Sequence, residues 1–351
     1  MESFGGSDYL ARLGLCALPV LAFLLGLKFL DSYKLLTLRR ILTAVVVGCG
    51  AAAACYLINT LAFLVQHPGD YWYGVFGAPP LEELIKAAYV IYLIRRSRVG
   101  FMVDAAICGF AVGAGFALAE NVIYLHSLAH SSLLLWALRG FGTAMMHGGA
   151  TAIVGIVSSS LAERRGSKGW RVFVPGTVIA ILIHALYNLS FLPPLASTFG
   201  ILIGLPVILV LIFLQSERSL HQWLGDKLDK DIDLLQMIST GCFVETKAGS
   251  YLRSLKSTFP PEVVGDMLCL LQLSLELSVR AKGDLLRKGA GFPVTLDPSL
   301  PAKFNELAYL ERSIGRAGKL AIAPLLSLSS RDLWEIYMLG QDSKSTSPAI
   351  P

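Results

Sequence analysis

Two adjacent carboxylates and a lysine stand in Pro80-Leu81-Glu82-Glu83-Leu84-Ile85-Lys86, inside an otherwise apolar segment. Each such charge costs about 2.5–3.5 kcal/mol at the centre of a membrane-spanning helix. Charges retained there usually face a bundle interior or a watery cavity, and they mark functional sites. Lys86 follows Glu82 by four residues and Glu83 by three, so on a helix all three share one side. One carboxylate can pair with the ammonium while the other stays free for chemistry. The structural alternative is an ion pair at a helix end, near the membrane interface.

Five more polar positions fall in apolar segments. Glu120 and Asn121 follow Phe116-Ala117-Leu118-Ala119, His147 stands in Met145-Met146-His147-Gly148-Gly149, and His184 and Asn188 are four residues apart in His184-Ala185-Leu186-Tyr187-Asn188. Taken singly, a histidine can be a hydrogen-bonded packing residue, Asn188 can bridge two helices, and Glu120 can sit at an interface.

The elements that must position them read as membrane helices. The chain has 351 residues, 54% hydrophobic and only 16% charged. That composition fits an all-α polytopic membrane bundle carrying a soluble part. Seven apolar segments are expected, at about 10–30, 41–65, 74–94, 101–125, 138–161, 172–191 and 196–215, each near the ~20 residues that cross a bilayer. The first connection (Lys28, Lys34, Arg39, Arg40), the third (Arg95, Arg96, Arg98) and the fifth (Arg164, Arg165, Lys168, Arg171) are basic, whereas the second, fourth and sixth hold no Lys or Arg. Basic loops stay cytoplasmic, which predicts the N-terminus outside and the C-terminus inside. Residues Met1 to Asp8 carry Glu2 and Asp8 and no Lys or Arg, which argues against a signal peptide, so the first segment reads as a retained helix.

On that frame the polar positions form a layer. At about 1.5 Å per residue, Glu82 and Glu83 fall about 10–15 Å inside the outer end of the third segment. Glu120 falls about 5–10 Å inside the fourth, His147 about 12–15 Å inside the fifth, and His184 and Asn188 about 10 and 5 Å inside the sixth. Segments one, two and seven offer nothing comparable. Asp104 lies near the cytoplasmic end and is expected to answer Arg95, Arg96 and Arg98. Gly109, Gly113, Gly115, Gly142, Gly148, Gly149 and Gly155 are read as close-packing positions, which makes segments four and five central.

Residues 1–215 hold 14 Lys and Arg against 9 Asp and Glu, and residues 216–351 hold 16 of each. The charge excess therefore sets membrane orientation and leaves no nucleic-acid footprint. The six cysteines have no metal-clip or redox spacing. The expected domains are a membrane domain over 1–215, with its motif core at about 75–190, a cytoplasmic helical domain over 216–340, and a disordered tail over 341–351. Within the second, helices are expected from Pro261 to about Lys282, from Pro301 to about Lys319, and from Arg331 to Met338 behind a Ser330 cap.

At these residues the chain resembles the PrsW family of membrane proteases, grouped with the CAAX prenyl proteases. The family pattern is EExxK, then FxxxE often followed by Asn, then HxxxD or HxxxN. Glu82-Glu83-Leu84-Ile85-Lys86, Phe116 to Glu120 with Asn121, and His184 to Asn188 match it in order, over about residues 75–190. His147 fits the layout of the wider superfamily, and Asn188 stands where some members have Asp. The resemblance implies a glutamate-type intramembrane endopeptidase in a bacterial cytoplasmic membrane. It would cut membrane-protein substrates near the outer face, with membrane-anchored anti-sigma factors as the substrate type linked to the family's name.

In that reading Glu82 or Glu83 is the general base, and Lys86 holds the other carboxylate ionised. His147 and His184 orient water or donate to the leaving nitrogen, Asn188 stabilises the oxyanion, and Glu120 completes the water site. No cofactor is expected. The rival mechanism gives Glu83, His147 and His184 to a divalent metal, although no HExxH fixes that spacing. Two other classes use the same layer differently: a proton or ion transporter, and a non-catalytic membrane sensor. The partners expected are a substrate membrane protein and the lipid bilayer, with no nucleic acid.

Overall fold

A computed structural model describes residues 6–30, 36–66, 70–127, 131–294 and 297–326, together with residues 334, 338 and 339. All regular elements among the described residues are helical. The chain divides into two compact units, Met1–Glu217 and Arg218–Pro351.

The first unit holds α1 (Gly6–Leu30), α2 (Leu38–Gln66), the short α3 (Asp70–Trp72), α4 (Ala78–Arg95), α5 (Met102–Ser127), α6 (Leu133–Leu138), α7 (Ala144–Arg165), α8 (Val174–Asn188) and the start of α9 (Pro194–Ser239). A π-helical turn, Tyr73–Gly77, joins α3 to α4, and a second one, Arg139–Thr143, joins α6 to α7. Six described stretches are long and apolar enough to cross a membrane: Asp8–Phe29, Leu38–Leu64, Met102–Leu125, Leu133–Arg165, Trp170–Asn188 and Pro194–Ser216. The seventh expected span, α4, differs because its 18 residues carry Glu82, Glu83, Lys86 and Arg95. It packs against α2, α5, α7 and α8, with Glu83, Lys86 and Ala87 fully buried.

The bundle is built on α5. Its span is 83% buried, against 17% for the α9 span and 28% for α1. Small residues make that possible. A Cβ on Gly115 would lie 2.0 Å from the Val45 carbonyl oxygen of α2, and one on Gly155 of α7 would lie 2.3 Å from the Ala105 oxygen of α5. Backbones in contact bring α2 and α7 to opposite flanks of α5, and Phe110, Val112 and Ala114 fill the space between. The glycines read as packing positions do that work. Asp104 Oδ2 accepts the backbone N–H groups of Gly100 and Phe101, at the entry to α5.

The π turn before α4 has a local cause. Pro79 and Pro80 have no backbone N–H, so the preceding carbonyls lose their partners one turn on. The ladder widens instead, and the Ala78 N–H reaches back five residues to the Tyr73 oxygen.

The second unit holds the rest of α9, α10 (Lys247–Ser254), α11 (Pro261–Gly289) and α12 (Leu300–Leu326). Helix α9 does not stop near residue 215; past Pro206 it meets no proline, and it runs on to Ser239. The expected helices at Pro261 and Pro301 are present and longer than expected, and α12 is kinked at Gly315 (φ 64°, ψ −171°). Met267, Leu271 and Leu277 of α11 pack with Leu310, Ile314 and Ile322 of α12. Lys282 is fully buried and donates to Asp231 Oδ2 at 2.8 Å and to Ser278 Oγ at 2.5 Å. The expected helix from Arg331 to Met338 and the tail 341–351 lie outside the described residues, apart from Trp334 and Met338.

Candidate active site

Helix α4 presents Glu82, Glu83 and Lys86 to α5, α7 and α8, and the two carboxylates part company at once. Glu83 Oε1 accepts from Lys86 Nζ at 2.5 Å and from His184 Nδ1 at 2.8 Å. Glu83 and Lys86 are fully buried. Glu82 makes no such pair: its Oε2 is 3.9 Å from His184 Nε2 and hydrogen-bonds to no described residue.

The hydrogen bonds fix both histidine tautomers. An ammonium only donates and an ionised carboxylate only accepts. Lys86 Nζ stands 2.9 Å from His147 Nδ1, so Nδ1 accepts and the ring proton sits on Nε2. That N–H points to Glu120 Oε2 at 3.3 Å. By the same logic His184 carries its proton on Nδ1, towards Glu83, and turns a bare Nε2 towards Glu82. The imidazoles meet edge to face, with centroids 4.7 Å apart. Phe116 closes the cluster from α5, its ring 4.5 Å from Lys86 Nζ and 5.1 Å from His147. It therefore offers its π face to the ammonium.

The backbone holds His147 as firmly. A Cβ on Gly113 would lie 2.2 Å from the His147 carbonyl oxygen. Glycine there lets α5 touch α7 at the histidine itself.

The sequence layer is thus brought together, with two differences. Asn188 spends its side-chain amide elsewhere, donating to the Gly74 carbonyl of the first π turn at 2.9 Å. The carboxylate whose oxygen lies with both imidazoles is Glu82, not the expected Glu83: one ligand atom each from Glu82, His147 and His184 falls within 4.8 Å of the others. Glu83 is drawn away because the Lys86 ammonium takes it.

Arg139 was missed. It sits at the head of the second π turn, gives Nε to Asn121 Oδ1 at 2.6 Å and Nη2 to Glu120 Oε2 at 3.3 Å, and stacks on Tyr124 at 4.5 Å. The signal was available, because the insertion cost that singled out Glu82 applies to an arginine in the fifth apolar segment as well.

A cavity of about 290 Å³ adjoins the cluster, and Glu82, Glu120 and Phe116 lie on its wall together with Ala52, Cys55 and Tyr56 of α2. The three-residue set of Glu82, His147 and His184 has the donor chemistry of a catalytic zinc site, two imidazoles and a carboxylate. The His184 Nδ1–H bond to Glu83 is the outer-shell bond that metal-bound histidines usually make. The donor set therefore fits a divalent metal, provided that the His147 ring proton leaves Nε2 for Nδ1, the nitrogen that now faces Lys86.

A family model described as PrsW family intramembrane metalloprotease matches residues 37–214. Neither a curated protein nor a solved structure matches the chain. The match takes in α4, α5, α7 and α8 whole, and with them every residue of the cluster. Six apolar spans around a buried cluster of carboxylates, imidazoles and a lysine, under a family match of that extent, make this chain a member of the PrsW family: an integral membrane protein that cleaves peptide bonds within the bilayer.

Proposed function

We propose that Glu82 is the general base of a glutamate-type peptidase, which hydrolyses substrate membrane proteins near the outer membrane face. The observation that carries this reading is the division of labour between the adjacent carboxylates. Glu83 Oε1 is committed to Lys86 and His184, whereas Glu82 takes no hydrogen bond from either and lies on the cavity wall. Water between Glu82 and the substrate carbonyl gives its proton to Glu82 Oε2 as its oxygen attacks the carbonyl carbon. His184 Nε2, facing Glu82, orients that water through its lone pair. Glu82 passes the proton taken from water to the leaving nitrogen as the C–N bond breaks, which returns it to the carboxylate, while the His147 Nε2–H, now facing Glu120, keeps its own proton and serves as a hydrogen-bond donor. Lys86 keeps Glu83 ionised, and Glu83 in turn holds the His184 tautomer.

A second reading has a specific observation behind it, the convergence of Glu82, His147 and His184, and the family's description as a metalloprotease agrees with it. Those three residues would hold a divalent metal such as zinc. When bound, such an ion supplies a water of lowered pKa and a Lewis acid for the carbonyl. Glu120, tied to Arg139, is then the carboxylate left to carry protons.

The test is cleavage of a panel of single-span membrane peptides by the full chain in nanodiscs. Wild type is compared with Glu82→Gln, Glu83→Gln and His184→Ala, each with and without 1,10-phenanthroline. Cleavage by wild type, loss in all three variants and indifference to the chelator are expected. Inhibition by the chelator, reversed by added zinc, moves Glu82 from base to ligand. Unchanged cleavage by all three variants overturns both readings.

A further inference from the structure

Helices α2 and α5 lock together at one level. A Cβ on Gly48 would lie 2.0 Å from the Val112 oxygen, one on Gly115 would lie 2.0 Å from the Val45 oxygen, and Cys49 Sγ donates to the Gly115 oxygen at 3.2 Å. Past this contact the cavity of about 290 Å³ opens between the two helices. Its α2 wall is one stripe, Ala52, Cys55, Tyr56 and Asn59, at spacings of three, four and seven. Its α5 wall continues from Phe116 through Glu120 to Ile123 and Tyr124. Glu82 and Glu120, the two carboxylates not paired to Lys86, share this wall. Tyr56 and Tyr124 are 57% and 41% exposed, and their outward neighbours Leu57 and Val122 are apolar and exposed as well. The cavity is therefore a groove whose rim lies on the apolar outer surface of a membrane-spanning unit.

We infer that this α2–α5 groove is the substrate subsite: it receives an unwound segment of the substrate's membrane-spanning helix directly from the bilayer, and Ala52 and Cys55 set the size of the apolar side chain accepted beside the cleaved bond. This rests on the reading of Glu82 as part of a protease site. The occupant follows from chemistry on the wall. A peptide carbonyl within a regular helix is bonded to the N–H four residues on and enclosed by its own turn, so it must be unwound before it can be attacked. An unwound stretch brings bare N–H and C=O groups, which need partners in an apolar medium. The groove carries polar side chains for them in Tyr56, Tyr124 and Asn59, the last already accepting from Tyr73 at 2.7 Å. Ala52 and Cys55 are small and nearly fully buried, so their side chains leave room in the groove for an apolar side chain of the substrate.

The experiment uses the full chain in nanodiscs and a library of single-span peptides. The peptides carry Ala, Val, Leu or Phe at one position, with or without a neighbouring Gly-Pro pair that unwinds the helix. In a Glu82→Gln background, photoreactive p-benzoylphenylalanine replaces Tyr56 or Ile123 in the groove, or Leu57 or Val122 facing outward. At least tenfold more peptide adduct from the groove positions, and more with Gly-Pro than without, is expected; equal adduct from all four positions overturns the inference. With Glu82 restored, Ala52→Val shifts the cleavage profile towards Ala, and Cys55→Ala, which adds space rather than crowding, shifts it towards Leu and Phe. Each shift should be about tenfold to a hundredfold, the discrimination expected for a methylene or so in an apolar pocket. Cleavage that Glu82→Gln abolishes, with an unchanged profile in both variants and no groove adduct, overturns the subsite and leaves the protease reading standing. Groove adduct from an enzyme that cuts nothing upholds the peptide subsite and overturns the protease reading.

Discussion

Lys86 is the residue on which the cluster turns. Its ammonium serves Glu83 and His147 together and rests over Phe116, all away from water. Breaking a buried pair by removing one partner costs about 3–5 kcal/mol, because the other charge is left uncompensated. Lys86→Met should therefore lower stability by about that amount in thermal denaturation of the detergent-solubilised protein. Adding Glu83→Gln should return much of the loss, since a neutral pair needs no counter-charge, yet leave cleavage impaired because a neutral amide oxygen holds the His184 Nδ1–H less firmly than a carboxylate does. Arg139 acts through Glu120 and Asn121 as a positioning residue. Arg139→Lys keeps the charge but loses the planar fork that reaches both. A fall of about 10- to 100-fold in kcat with KM unchanged is expected, the scale seen for outer-shell supports. A rise in KM alone, or no change in either constant, would deny it that role.

At the scale of elements, the site is held by helix spacing. The Gly113 contact with the His147 carbonyl means that the distance from α5 to α7 is also the placement of the imidazole. Gly113→Ala should cost about 1–3 kcal/mol from overpacking and reduce cleavage out of proportion to the folded fraction. Gly50→Ala, where a Cβ would meet nothing within 4 Å, should leave both unchanged. Thermal melts and initial rates on the same samples separate the two effects. The helices carrying Glu82, Glu120, His147 and His184 could be read in the sequence because charge in an apolar segment is conspicuous. The two π turns could not. The widened ladder at Tyr73–Gly77 follows from Pro79 and Pro80 only once the backbone bonds are traced, and nothing in Arg139–Thr143 announces the other. The partner of Asn188 was hidden for the same reason, since it is a backbone carbonyl in the first of those turns.

Across the whole molecule, the two compact units differ in what holds them. The first is apolar around a charged centre, and the second is an amphipathic helical core in which Lys282 is buried against Asp231. Lys282→Ala should destabilise the second unit by about 3–5 kcal/mol by leaving Asp231 without its buried partner. Lys319→Ala, which breaks a pair about half exposed on each side, should cost less than about 1 kcal/mol. Hydrogen exchange should register the first change within residues 218–326 and leave α4, α5, α7 and α8 protected as before; loss of protection in α4 would mean that the units do not fold independently. The sequence marked the change in composition near residue 215 but placed a helix end there. Composition reports where lipid stops, whereas a helix stops only when its backbone is interrupted, and residues 216–239 offer no such interruption.

The π turns have a consequence for how this site can vary. A π turn is an α-helix with one residue too many, and each residue of an α-helix turns the chain by about 100°. Losing any one residue of Gly140–Thr143 would restore a regular ladder and make α6 and α7 one smooth rod. It would also swing Arg139 about 100° around α7, away from Glu120 and Asn121, while His147 stayed fixed by its contact with Gly113. The extra residue thus acts as a phase shifter between two halves of one span. Substitution can drift freely along that span's outer face, but a change of length inside it puts the arginine and the histidine out of step.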